Sequence, residues 1–594
     1  MRDRQPTKPG RVLIAPENGT TPFYATITRA DEPTDTGTPI NKASLLQDET
    51  AEMLGLDPAD DPTVDDAFRL FSGHITFATL HIFSPIGSII TVYGEGMSKN
   101  IVSAGEDDIG VPGNGIYSVT RNINGKIETR EVEVTERGSL VPVVLSWRYG
   151  FRKKKSENDP YTRIEYLYDA VGMAPAHMNF DKGEFDYGDW GIAWFVRKNR
   201  PIMQKADLTE DYELDHNDHT KKLDGTPSDV SNTDYDGNAM SAIPLCWFYR
   251  YEDNTYEYEI VCEHQWDERY KAYAHTDADG NIMDYFTWWM FGGSRDSTKR
   301  IRSLKDQNLA MSLKVTTMID GATANGPGWY IHSCSRRSCI ISLLILMAKS
   351  TDTQTAYGNG DNRGAGGSSG RLLTTGTLSD KGQFFGYSSN NQQVKVFYIE
   401  GFWGDQSLRT AGIINNNGRI YYKMTPEGDG YRVDDVEGYT DSESKLPASN
   451  GFISATKCGE FGCIPIASNG SKTTFECDMV MVQNPTTLPY LLAGSSSYYG
   501  NGSAGAFAFR VDQSASFVYW NLGCGLSADM PNLCISSAEG PAGAGGAAQY
   551  LLPRSPPHLC HPRSGQRGGC QNLVWDIGPH RRLIYAEYLH PRYN

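Results

Sequence analysis

Period-two alternation between residues 75 and 147 is the strongest constraint on this chain. The runs ITFATLHIF, SIITVYG, IYSVTRNI, KIETREVEV and SLVPVVLSW each place apolar and polar residues on opposite sides of an extended backbone. Asn124-Gly125 separates two of these runs and marks a tight hairpin, because both central positions of such a turn need positive φ. Gly113-Asn114-Gly115 marks a second turn. About seventy residues of short strands joined this way predict a small Ig-like β-sandwich, a module that usually serves as a spacer.

The chain has 594 residues, enough for several domains. Its 33 Tyr and 11 Trp supply core and contact surface, so a disordered chain is excluded. A net charge of −17 with no long basic run argues against nucleic-acid binding. The start, MRDRQPTKPGR, lacks the apolar stretch of a signal peptide. The longest apolar run, Cys339 to Ala348, is too short to span a bilayer and reads as a buried core helix or strand, so no membrane insertion is expected.

Ahead of the alternating region, residues 1–72 read as an extended arm with short helices. Phe23 to Thr28 suits one strand. Asn41 caps a helix whose face is Ala43, Leu46, Thr50, Met53 and Leu54, stopped by Gly55. Thr63 and Asp66 signal a second helix, Val64 to Leu70. Such small apolar faces fit a docking segment buried by a partner.

Residues 151–300 are rich in Trp, Tyr and Asp. IPLCWFYRY and NTYEYEIVC flank Glu252-Asp253-Asn254 as a hairpin. AHTDADGN, Ala274 to Asn281, has the alternating acids of a calcium loop, but Trp288 stands where the loop needs its final glutamate, so a plain turn is expected. Gly358 to Gly370 is glycine-rich without the Lys-Ser/Thr of a phosphate loop and reads as a flexible surface loop. Trp403-Gly404 reads as a buried structural element. Cys334/Cys339 and Cys458/Cys463 each have four residues between them, the loose edge of zinc-ligand spacing. The pairs are far apart in sequence, and buried free thiols are the expectation. Asp181, Glu184, Asp186 and Asp189 form a turn-rich acidic patch with no geometric reason to pair.

Leu491 to Ala528 mixes two classes of residue. Phe507, Phe509, Val511, Trp520 and Leu522 have strand-like spacing that a Gly/Ser linker lacks. Between them stand the Ser, Tyr and Asn residues that adaptable binding surfaces use. After Pro531 the chain changes character: residues 532–594 have no lysine and are loaded with Pro, Arg and His. They read either as a flexible tail or as sequence in a shifted frame.

Taken in order, IPLCWFYRY (243–251), DYFTWWMFGG (284–293), GPGWYIHS (326–333), LLILMAKSTDTQTAYGNG (343–360), VKVFYIEGFWGDQ (394–406) and SAGAFAFRVDQSASFVYWNLGCGLSA (503–528) resemble one family. Residues 151–530 are similar to the C-type-lectin-like, formylglycine-generating-enzyme-like domain of phage tail fibres and of diversity-generating retroelement variable proteins, such as major tropism determinants. RDRQPTKPGRVLI, TPINKASLL and TVDDAF resemble tail-protein N termini.

The resemblance implies a multidomain, mainly β chain with α+β. It has a docking segment (1–72), an Ig-like spacer (73–150), a C-type-lectin-like receptor-binding domain (151–530) and an atypical tail (531–594). It implies a homotrimer in the virion, joined to tail or baseplate proteins by its N terminus, that attaches to a bacterial surface protein or glycan without catalysis or cofactor.

The ligand-binding positions it implies are Ser495, Ser496, Ser497, Tyr498, Tyr499, Asn501, Ser503, Arg510, Asp512, Ser514, Ser516, Tyr519 and Asn521. The scaffold it implies is Ala504, Gly505, Phe507, Trp520, Gly523 and Gly525. Three alternatives stay open: a formylglycine-generating-type oxidoreductase, a tail-associated glycan hydrolase, and a bacterial retroelement adhesin. Trp520-Asn521 lacks the following Asp of a calcium-dependent lectin site, so no metal is expected.

Overall fold

In the computed structural model the alternating runs become paired strands. The structure describes residues 77–363, 368–426, 431, 435–482 and 505–530, and the backbone of the strands Arg11–Ile14, Phe23–Thr26 and Tyr490–Ala493. The described residues all lie within one compact unit that ends at Pro531. The chain is mainly β, built from several sheets. Arg11–Ile14 pairs antiparallel with Phe23–Thr26, while the two expected N-terminal helices lie outside the described residues.

Residues 78–144 make two sheets around one core. Ala78–Phe83 lies between Glu106–Val111, antiparallel, and Leu140–Val144, parallel. The second sheet runs Met97–Val102, Ile89–Gly94, Gly115–Ile123, Lys126–Val134. Alternation delivers Leu80, Ile82, Ile90, Val92, Tyr117 and Val119 to the shared interior. The hairpin at Asn124-Gly125 has φ of 52° and 78° and joins Ile123 to its partner Lys126. The strand order, fourth-first-seventh over third-second-fifth-sixth, differs from the ABED and CFG sheets of an immunoglobulin constant domain. Nor does packing stop at residue 150. Ile260, Cys262, Trp266 and Tyr270 complete the same core, and buried Arg121 pairs with buried Asp169 at 2.7 Å.

Three further elements position the C-terminal segment. A four-stranded sheet runs Ile164–Tyr168, Arg148–Lys154, Tyr256–Cys262, Trp247–Glu252, its last two strands forming the expected hairpin. A six-stranded sheet runs Glu210–Glu213, Arg200–Lys205, Gly237–Pro244, Tyr285–Trp289, Leu526–Asp529, Trp329–Ile331. Leu526–Asp529 is therefore an inner strand, with Phe286 opposite Asp529 and Trp329 opposite Ala528. In the third sheet, Ser407–Asn416 pairs with Arg419–Tyr422 and Tyr490–Ala493, and in parallel with Leu522–Gly523; Phe509–Arg510 lies beyond, next to Met479–Met481.

The helix Cys334–Ala348 carries the apolar run. It is buried on nearly every side, as a helix without a polar face must be. No described helix is long and apolar enough to cross a membrane. Trp190, Trp288, Trp289 and Trp403 fill the core beside this helix.

The glycine-rich stretch Gly358 to Gly370 divides in two: its first residues are buried, while Ser368, Ser369 and Gly370 are exposed. Gly358 and Gly360 to Asn362 are buried, because the Trp403 indole donates to the Gly358 carbonyl at 3.1 Å and lies against Gly360. The turn at Ala274–Asn281 is capped by Asp277, which accepts from Asp279 N and Asn281 N.

Candidate functional site

Residues 505–529 leave one sheet, cross the surface and enter another. Asp478 fixes the start. It is buried and accepts the backbone N–H groups of Gly505 and Phe507, the latter at 2.9 Å, while Thr353 Oγ1 accepts from Ala506 N at 3.0 Å. Burial pushes the Asp478 carboxyl from 3.8 up to about 8.

A raised folded pKa means that the folded state holds a proton which the unfolded state releases. The associated stability is full below pH 3.8 and is lost as pH rises through 8. Asp405, raised to about 8, acts in the same direction. We expect the melting temperature to fall between pH 6.5 and 8.5. Asp478→Asn, neutral throughout, should flatten part of that slope in a fluorescence melt. A slope unchanged in the variant would assign the effect elsewhere.

Buried arginines hold the rest of the segment. Arg336 and Arg337 open the helix Cys334–Ala348. Arg336 donates to Ser527 Oγ at 2.8 Å and to the Asp529 carboxylate, and Arg337 donates to the Ala506 carbonyl at 3.0 Å. Arg409, on the strand Ser407–Asn416, donates to the carbonyls of Gln513 (3.3 Å), Ser514 (2.9 Å) and Phe517 (3.1 Å). Asn415 Nδ2 holds the Val511 carbonyl, Val315 N that of Ala515, Ser312 N that of Tyr519 and Gln406 Nε2 that of Trp520. The loop 511–520 is thus fixed by its main chain, which leaves the side chains of residues 516–519 to face outward.

Four consecutive side chains emerge there: Ser516, Phe517, Val518 and Tyr519, the last three 39%, 41% and 42% exposed. The Phe517 and Tyr519 rings lie 6.3 Å apart and nearly parallel, and Trp520 follows at 6.0 Å from Tyr519. Phe517, Val518 and Tyr519 thus form a short run of exposed apolar residues on a loop held by its main chain.

Of the positions expected to be displayed, Ser516 and Tyr519 are exposed and Asp512 and Ser514 half-buried. Two expectations are corrected. Arg510 is buried and forms a bidentate pair with Asp512, both contacts 3.0 Å. Asn521 is buried where its carbonyl accepts from Ser407 N. Ser495 to Tyr499, Asn501, Ser503 and Ala504 lie outside the described residues.

Gly505 and Gly523 stand where a methyl group would strike Asp478 and Gln406, and Phe507 and Trp520 are half-buried. Trp403 is fully buried, and Gly404 packs against the backbone of Asp361 at φ 85°.

Phe517 and Val518 were not picked out from sequence. The signal was available: FVYW breaks the alternation that a strand would keep, and so exposes what a strand would bury.

A cavity of about 350 Å³ opens beside the helix start, lined by Phe248, Arg250, Lys271, Tyr273, Cys246 and Cys339 among others. Burial and the neighbouring Cys339 thiol hold Cys246 well above the ordinary thiol range, which makes it a poor nucleophile. Cys524 is fully buried and pushed up to about 12. Asp181, Glu184, Asp186 and Asp189 are all exposed, Asp186 and Asp189 capping backbone N–H groups. Neither a search of protein-family models nor one of curated proteins returned a match to this chain.

Proposed function

We propose that this chain is a phage tail-fibre receptor-binding protein. Its lectin-like C-terminal region would attach the virion to a bacterial surface protein or glycan, and the two-sheet module would act as an Ig-like spacer. The observation that carries the reading is the patch Ser516–Tyr519, apolar and aromatic, on a loop whose carbonyls are held from below by Arg409. Such a loop binds by shape and contact area and loses little entropy on docking. In a homotrimer three weak patches act together, and avidity replaces single-site affinity. The oxidoreductase alternative needs reactive thiols, whereas Cys246 and Cys524 are held protonated.

Fluorescently labelled full-length chain should adsorb to susceptible bacterial cells and compete with virions for them. Replacing Phe517 and Tyr519 together by Ser should reduce adsorption by about tenfold or more, the loss of one aromatic anchor of about 1.4 kcal/mol at the least. The melting temperature should stay unchanged, because both rings are exposed. Normal adsorption by this double variant would move the site elsewhere. Antibodies against the chain that label no virion would sink the reading altogether.

A further inference from the structure

The hairpin Ala455–Gly459/Gly462–Ala467 sets Cys458 directly opposite Cys463. The partner of this pair is not the distant pair Cys334/Cys339 but a carboxylate. Glu259, on the strand Tyr256–Cys262, meets both sulfurs, and the three ligand atoms lie within 4.8 Å of one another. Cys463 Sγ is 3.6 Å from Glu259 Oε1.

The second oxygen of that carboxylate is fully engaged. Glu259 Oε2 accepts from Arg250 Nε at 2.8 Å and from the Ser342 hydroxyl. Among the described residues, Oε1 has only the Cys463 thiol, a weak donor. A carboxylate oxygen in a residue only 5% exposed is poorly satisfied by that contact.

The surrounding charges are already matched. Lys153 sits between Glu257 at 2.7 Å and Glu476 at 2.8 Å, Arg163 pairs with Glu476 at 3.2 Å, and Arg250 with Glu259. Lys153, Arg163 and Arg250 balance Glu257, Glu259 and Glu476. Nothing in the cluster is left to neutralise two thiolates, so two ionised cysteines here require a dication.

We propose that Glu259, Cys458 and Cys463 form a zinc site, with two thiolates and one carboxylate as ligands and a fourth position for water. Two soft sulfurs and one oxygen are a donor set for Zn²⁺ rather than for Ca²⁺ or Mg²⁺. Tetrahedral bonds of about 2.3 Å to sulfur and about 2.0 Å to oxygen place ligand atoms roughly 3.5 to 3.8 Å apart. The 3.6 Å between Cys463 Sγ and Glu259 Oε1 already meets that spacing. Arg250 and Ser342 play the outer role that orients a metal-bound carboxylate.

Zinc displaces two thiol protons to solvent, so the buried charge is the same before and after and no oxidant is needed. A Cys458–Cys463 disulfide, which the cross-strand pairing also permits, needs an oxidant and would strip Glu259 Oε1 of its one donor. The metal would staple the hairpin to the four-stranded sheet. Both thiols must lose their protons to bind the metal, so loading weakens as pH falls.

Full-length protein is stripped with chelator, reloaded with Zn²⁺ or Co²⁺ and dialysed. The wild type should retain about one equivalent more zinc than the Cys458→Ser/Cys463→Ser variant, and its cobalt form should show a sulfur-to-cobalt charge-transfer band that this variant lacks. Glu259→Gln should weaken binding about tenfold or more; Cys524→Ser should change neither readout. Because the double variant can fail to fold, zinc protection of Cys458 and Cys463 against alkylation is mapped in the wild type as well. Equal zinc in wild type and variant, no cobalt band, or alkylation indifferent to zinc would each overturn the site, as would an intact mass short by two hydrogens with both cysteines in a disulfide.

Discussion

Arg409→Met will lower stability by about 2–4 kcal/mol and reduce adsorption at least as far as loss of the Tyr519 ring does. Arg409 has no solvent exposure and sits in an inner strand of its sheet. Its guanidinium spends its contacts on three main-chain carbonyls of one loop, Gln513, Ser514 and Phe517. Burial, with Arg510 adding to it, lowers its pKa to about 10, so the group stays charged at neutral pH and its hydrogen bonds remain charge-assisted. Methionine fills much the same volume, which keeps the cavity term small, but it removes every donor. Carbonyls left without partners cost about 1–3 kcal/mol each when water cannot reach them.

The loop should then loosen, and the order of Phe517 and Tyr519 should go with it. Arg409→Lys should rescue little, because one ammonium cannot span acceptors arranged for a fork. Urea denaturation gives the stability term. Limited proteolysis under native conditions should cut within 513–519 in the variant and not in the parent. A methionine variant with parental stability, parental protease resistance and full adsorption would show that the loop holds its shape without the clamp.

Local physics was legible in the sequence, and long-range polar connections were not. Met97–Val102 and Glu106–Val111 fall outside the alternating runs, but the other five strands of residues 78–144 follow from alternation and an Asn-Gly turn, because the buried face of each is written in its own residues. Their order in the sheets is not, since pairing Ala78–Phe83 with Leu140–Val144 depends on loop paths rather than on strand pattern.

The same division runs through the site. Tyr519 and Ser516 stood out by composition. Arg336, Arg337 and Arg409 did not, because an arginine in a helix or strand reads as a solvated face until its acceptors are known. Those acceptors, side-chain oxygens for Arg336 and main-chain carbonyls for Arg337 and Arg409, lie in the terminal segment more than a hundred residues away, and no local pattern encodes them. Glu259 went unnoticed as the partner of Cys458 and Cys463 for the same reason. Arg510 and Asn521, positions that only the resemblance implied, are buried because Arg510 pairs with Asp512 and the Asn521 carbonyl joins Ser407 N.

A single added methyl at Gly525 tests whether the terminal strand is a fixed base for the loop. A Cβ there would lie 2.2, 2.3 and 2.6 Å from atoms of the Trp289 ring. That ring is fully buried, with Trp288 at 4.5 Å and His332 at 4.8 Å between ring centres. It has no space to yield, so the strand Leu526–Asp529 must shift away from its two neighbours. We expect Gly525→Ala to cost about 3 kcal/mol or more, the upper end of overpacking, seen as a lower urea midpoint and weaker soluble expression.

Two further glycines calibrate the result. Gly523→Ala meets Gln406 Oε1 at 2.0 Å, but a side-chain amide can turn, at the expense of its bonds to the Ala310 and Trp520 carbonyls. Gly418→Ala meets nothing within 4 Å and carries only the cost of φ at 82°, about 1 kcal/mol. The expected order of damage is therefore Gly525, then Gly523, then Gly418. If Gly525→Ala proved as mild as Gly418→Ala, the Trp289 ring would have to swing aside at little cost. The strand carrying Ser527 and Asp529 would then be no rigid anchor for the patch at Phe517–Tyr519, and preorganisation would have to come from Arg409 and the other donors to the loop carbonyls.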